Sequence, residues 1–125
     1  MNRQLKLGSV LVLMLGLSVV PAAQAEPTTS VQIEVSFLLG YIEGSGCKFY
    51  RNGAWHDAKQ AQVHLRDKYE WLRARNLINT TEDFIDKAAT QSSLSGQIYA
   101  VVCNGGASVT SKQWLRDELA RLRTF

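Results

Sequence analysis

Several features are scarce in this chain, and each scarcity excludes a class of protein. Only two cysteines occur, Cys47 and Cys103, and no Cys-x-x-C pair. That removes the thioredoxin-type redox motif, and two histidines at scattered spacing complete no zinc signature. No metal or cofactor is therefore expected. Neither charge sign dominates: 14 basic residues face 11 acidic ones. No basic block stands ready to track a phosphate backbone, so no nucleic acid is expected as a partner. The longest apolar run, Leu7 to Val20, covers 14 residues, whereas a spanning helix needs about 20. No Cys stands near its end, which argues against a lipoprotein anchor. Internal repeats, low-complexity tracts and a G-x-S-x-G nucleophile elbow are missing as well.

What is present begins at the N-terminus. Arg3 and Lys6 precede the apolar run, Pro21 breaks it, and Ala23-Gln24-Ala25 follows. A charged start, an apolar centre and a small-x-small end make residues 1–25 a cleavable signal peptide. Cleavage leaves residues 26–125 as a single small domain, with no stable membrane span. Arg3 and Lys6 depart with the leader, so 14 basic residues become 12 against 11 acidic. The formal charge falls from +3 to about +1, which further weakens any nucleic-acid reading. The expected location is periplasmic or secreted. In an exported chain an even pair of cysteines reads as a disulfide. Cys47 with Cys103 would close a loop of about 57 residues, for roughly 4 kcal/mol of chain-entropy stabilisation.

Periodicity then divides the domain. Val31, Val35, Leu38, Leu39 and Ile42 recur at helical spacing, and Gly44-Ser45-Gly46 stops that helix. Asn52-Gly53 between Lys48–Arg51 and Ala54–His56 signals a β-hairpin, since a type I′ turn needs positive φ at both central positions. Asp57 suits the N-cap of a long helix over about Ala58 to Asn76, with Ala58, Ala61, Leu65, Tyr69 and Leu72 inward. Asn79, Thr80 and Thr81 offer the next cap, and Asn79-x-x-Glu82 resembles a capping box, for a third helix to about Thr90. Residues 91–96 form a polar loop, Ile98 to Val102 reads as a strand, and Asn104-Gly105-Gly106 as a turn. Thr110 or Ser111 caps a last helix with Trp114, Leu115, Leu119 and Leu122 inward. Phe49, Tyr50, Trp55, Trp71 and Trp114 supply an aromatic core cluster, with an aromatic ligand groove as the alternative. The expected fold class is α+β: a hairpin plus one strand in a small antiparallel sheet, about four helices and one disulfide.

Four stretches carry a resemblance. They are Phe49 with Arg51-Asn52-Gly53, then Ala61-x-x-His64-Leu65-x-x-Lys68. Glu82-x-Phe84-Ile85-Asp86-Lys87-x-Ala89 and Ser92-Ser93-x-Ser95-Gly96-x-x-Tyr99 follow. Together, in this order, they resemble the YfeK-like family of small exported bacterial proteins, a domain of unknown function. The resemblance implies export and a shared fold, and it brings no activity with it.

One helix face holds the candidate chemistry. At 100° per residue, Lys68 projects within about 40° of the centre of the apolar stripe, and His64 lies one turn before it. A lysine so placed must snorkel outward, pair with Asp83 or Asp86 on the next helix, or receive an anion. In the last case Arg51 and the hydroxyls of Ser92 and Ser95 would complete a small ligand site. A third reading has Ser92, Ser93 or Ser95 as a nucleophile activated by His64 or Lys68. None of these three serines heads an S-x-x-K motif. The sequence therefore favours a non-enzymatic binding or interaction module of the envelope. Its ligand would be a small anion or an envelope protein. The alternatives are a small serine hydrolase and a structural accessory of an envelope complex.

Overall fold

A computed structural model describes residues 27–125, and the expected leader at 1–25 lies outside the described residues. The first helix, α1, runs Thr29–Glu43. The Thr28 hydroxyl caps it by accepting from Val31 N, and the five apolar positions named above are its buried face. β1 (Lys48–Arg51) and β2 (Ala54–His56) follow as the expected hairpin. Asn52 and Gly53 sit at φ 50° and 83°, the left-handed pair that a type I′ turn demands. α2 spans Ala58–Arg73, with Asp57 and Gln60 closing a reciprocal capping box.

The second helix ends three residues before the expected Asn76. Asn76 adopts φ 61°, and Leu77 N returns to Leu72 O at 3.1 Å. That 6→1 bond consumes a terminal carbonyl and turns the chain toward α3, Thr81–Ala88. Thr80, one of the three expected candidates, caps α3. Thr80 accepts from Asp83 N, and the Asp83 carboxylate accepts from the Thr80 and Asn79 amides at 3.1 and 2.8 Å. Asn79 and Glu82 do not form the box, because Asp83 reaches both amides at once.

β3 covers Ala100–Val102, and a two-residue β4, Val109–Thr110, leads directly into α4, Ser111–Leu122. The sheet is antiparallel with strand order β2-β1-β3-β4. Phe49 and Val101 are cross-strand partners and both are buried, so this pair faces the helices. The sheet thus has one strand more than the hairpin plus one strand expected, since β4 is too short to show periodicity. Ile98 stands outside β3 as an isolated bridge to Gln91.

The core fills the space between these elements. Phe84, Leu38, Ile42, Ile78, Ile85 and Leu115 are its largest fully buried side chains. Of the expected aromatic cluster, Phe49 and Trp114 belong to it, with ring centroids 5.5 Å apart. Trp55 and Trp71 do not: they are 51% and 54% exposed. The Cys47–Cys103 disulfide joins the residue before β1 to the residue after β3, with Cα atoms 4.4 Å apart.

Candidate functional site

Helix α2 carries His64 and Lys68 on one side, and the chain between α3 and β3 comes back across them. Tyr99 is the contact residue. Its backbone is held on both sides, its amide donating to Thr90 O and its carbonyl accepting from Ser111 N, each at 3.0 Å. Its ring is buried, and its hydroxyl lies 3.2 Å from Lys68 Nζ and 3.1 Å from His64 Nε2. An ammonium can only donate, so the Tyr99 oxygen accepts from Lys68, and the direction of its bond with His64 follows the histidine tautomer. Lys68 also donates to Gln91 O at 3.0 Å. The expected alternative of a salt bridge from Lys68 to Asp83 or Asp86 is not formed. Asp83 is occupied in the α3 cap, and Asp86 is taken by Arg116 at 2.8 Å and Lys112 at 3.6 Å.

Burial sets the electrostatics. It depresses His64 from its ordinary 6.5 to about 4, helped by the positive charges of Arg51 and Lys68. Lys68 is pulled down by burial and by Arg51, and Tyr99 is pushed up by burial against the opposing field of Arg51. Arg51 lines one slot with His64 and Tyr99, and its positive charge bears on all three groups. Among the described residues, neither Arg51 nor Lys68 forms a salt bridge. Asp67 is the acidic neighbour. It opposes the depression of His64 and is itself exposed and outside every ion pair described.

Two spaces meet at His64. A cleft of about 350 Å³ is lined by His64, Asp67, Lys68, Trp71, Leu72, Lys87 and Ser93. On the other side a slot of about 20 Å³, room for about one water, lies between Arg51, His56, Leu65 and Tyr99. Of the residues singled out by sequence, Arg51, His64 and Lys68 come together. Ser92 does not join them. It is buried, and its hydroxyl accepts from the Leu94 and Ser95 amides at 3.2 Å. Ser95 binds the hairpin tip, donating to Asn52 Oδ1 at 2.6 Å. Among the described residues no serine hydroxyl is hydrogen-bonded to His64 or Lys68. Ser45 and Lys48 do have S-x-x-K spacing. The Ser45 hydroxyl, however, donates to Ile42 O and accepts from Cys47 N, closing the turn after α1.

Tyr99, Asp67 and Lys87 at this site escaped the reading of the sequence, whereas Trp71 was expected among the aromatic residues of the core or of a ligand groove. For Tyr99 a signal existed, since Tyr99 and Val101 alternate inward along an extended segment. Among the described residues no cluster of three or more His, Cys, Asp or Glu could hold a metal ion, and no helix is long and apolar enough to cross a membrane.

Comparison with known proteins extends over this whole arrangement. A family described as a family of unknown function, DUF5329, matches residues 29–123, from the start of α1 to the residue after α4. The chain belongs to this family. The match includes every residue of the Arg51–His64–Lys68–Tyr99 cluster and both cysteines. The uncharacterized protein YfeK of Salmonella typhimurium strain LT2 is 47% identical over 51 residues. That segment covers 41% of this chain and 41% of the relative, so the similarity spans less than half of either. No solved structure matches.

Proposed function

We propose that this is an exported, non-enzymatic binding protein of the bacterial envelope. It receives an anionic group at the Arg51–His64–Lys68 cluster. One observation carries the reading: two cations share a half-buried neighbourhood with no carboxylate paired to either. Such an arrangement is unfavourable while empty and improves when an anion enters. The leader at 1–25 and the disulfide support an oxidising, extracytoplasmic address.

Calorimetric titration with inorganic phosphate at low ionic strength tests the site. Native protein should bind, and raising the salt should weaken binding. Lys68→Met should abolish it while shifting stability by no more than about 1 kcal/mol, since two lost hydrogen bonds are offset by removal of a half-buried charge. No binding by native protein at any salt would end the anion reading. For export, the mature protein from a periplasmic or culture fraction should have a mass beginning at Glu26. An intact Met1–Phe125 chain retained in the membrane would refute that part.

A further inference from the structure

We propose that the cleft beside Lys68 takes a carboxylated sugar ring, with its acid group at Lys68 and its ring against Trp71. This rests on the anion reading above and specifies its ligand. The cleft volume of about 350 Å³ far exceeds what a bare oxyanion fills, and it falls in the range of small-molecule sites. Its wall includes Trp71, an indole 54% exposed. That ring is braced: the Arg75 guanidinium stacks 3.7 Å above its centroid and donates to Trp71 O at 2.9 Å. A large exposed ring held in place at the side of a cleft is a platform for the apolar face of another ring.

The polar groups around the platform are mixed. Lys68 spends two of its three N–H donors on Gln91 O and Tyr99 Oη, leaving one for a ligand carboxylate. Lys87 is anchored on Leu77 O at 2.9 Å and has donors to spare. Asp67 can only accept, and Ser93 can do either. An acceptor carboxylate in the lining repels phosphate but suits a pair of ring hydroxyls. Donors and an acceptor lining one cleft match a ring bearing both hydroxyls and an acid.

Calorimetry on the full mature chain with glucuronate, glucose and inorganic phosphate decides the matter. Glucuronate should bind about tenfold tighter than either of the others. Trp71→Ala, at an exposed position, should lose about tenfold for glucuronate and leave phosphate unchanged. Asp67→Asn should act with opposite signs, weakening glucuronate and strengthening phosphate. Glucuronate no tighter than phosphate, with both variants changing the two ligands alike, would overturn the sugar proposal and leave the anion site standing. Failure of native protein to bind either ligand would overturn both. A uronate trisaccharide binding tighter than the monomer supports a glycan as the source, and equal binding supports a free sugar.

Discussion

Two clusters of charge sit at different places on this molecule, and they follow opposite rules. The first joins α1, α3 and the end of α4. Arg123 holds Glu34 through two N–H groups, each at 2.9 Å, and Glu82 at 2.7 Å, while the Thr81 hydroxyl adds a bond to Glu34. Hydrogen bonds from Arg123 and then Thr81 hold Glu34 at about 2, down from 4.5, and Arg123 itself is raised by the same carboxylates. Every member is driven toward its charged form. The second cluster is Arg51, His64 and Lys68. There burial dominates, Asp67 opposes it only in part, no carboxylate forms a salt bridge with Arg51 or Lys68, and both His64 and Lys68 are driven toward the neutral form. A matched cluster stabilises the fold it belongs to. An unmatched one is tolerated by the fold and awaits a partner of opposite sign.

The comparison can be broken in several ways. The largest effect should come from the covalent bond beside the second cluster. Cys47–Cys103 clamps β1, which carries Arg51, to β3, which begins just beyond Tyr99. Reduction should remove roughly 4 kcal/mol of stability, seen as a lower urea midpoint. An unchanged midpoint would mean that the pairs between β1 and β3 hold the site unaided. Next in size is Arg123→Ala. It should lose about 1–2 kcal/mol, because two carboxylates are left with a single hydroxyl between them. Its acid limb should change too. A carboxyl depressed to about 2 from 4.5 supplies stability that is present above pH 4.5 and lost as pH falls toward 2. In the variant that loss should shrink, and an unaltered acid limb would place the stabilisation elsewhere.

The smallest effect belongs to the second cluster and occupies a different window. His64 is depressed from 6.5 to about 4. Its contribution is therefore complete above pH 6.5 and declines as pH falls through the window toward 4, where the unfolded chain binds a proton that the folded one refuses. After allowance for screening, this is worth about 1 kcal/mol. His64→Gln keeps a hydrogen-bonding group near Tyr99 and should flatten stability between pH 6.5 and 4. Denaturant midpoints at half-unit pH steps would show it, and a slope equal to that of the native protein would contradict the assignment. Two separate windows, one for each cluster, would show that the matched and unmatched charges act independently.

Local chemistry was legible wherever a residue's role depended on its own neighbours in the chain. Asn52-Gly53 dictates the hairpin because few other pairs accept two positive φ angles in succession. Asp57 caps α2 because its carboxylate reaches an amide three residues on. The disulfide followed from the even cysteine count together with the export expected from residues 1–25. Competition between neighbours defeated the reading at α3, where Asp83 outreached Glu82 for the capping amides. Length defeated it at β4, since two residues carry no period. The aromatic residues were read as core by size alone. Trp55 lies outside it because it pairs with Tyr50 on the sheet face opposite the buried Phe49, and position 71 falls beyond the buried stripe of α2.

The site shows the same division. The sequence by itself placed His64 and Lys68 one turn apart on the side of α2 that faces the protein, and it put Arg51 at the hairpin. Helical and hairpin geometry are short-range, so the residue types and their spacing were enough. Only the tertiary structure brought Tyr99 from 31 residues away onto Lys68, pinned Ser92 and Ser95 in a turn, and left Arg51 and Lys68 without a paired carboxylate. Those outcomes depend on how α2, the hairpin and the chain entering β3 pack together. Packing is decided by the whole core at once, and no local stretch encodes it.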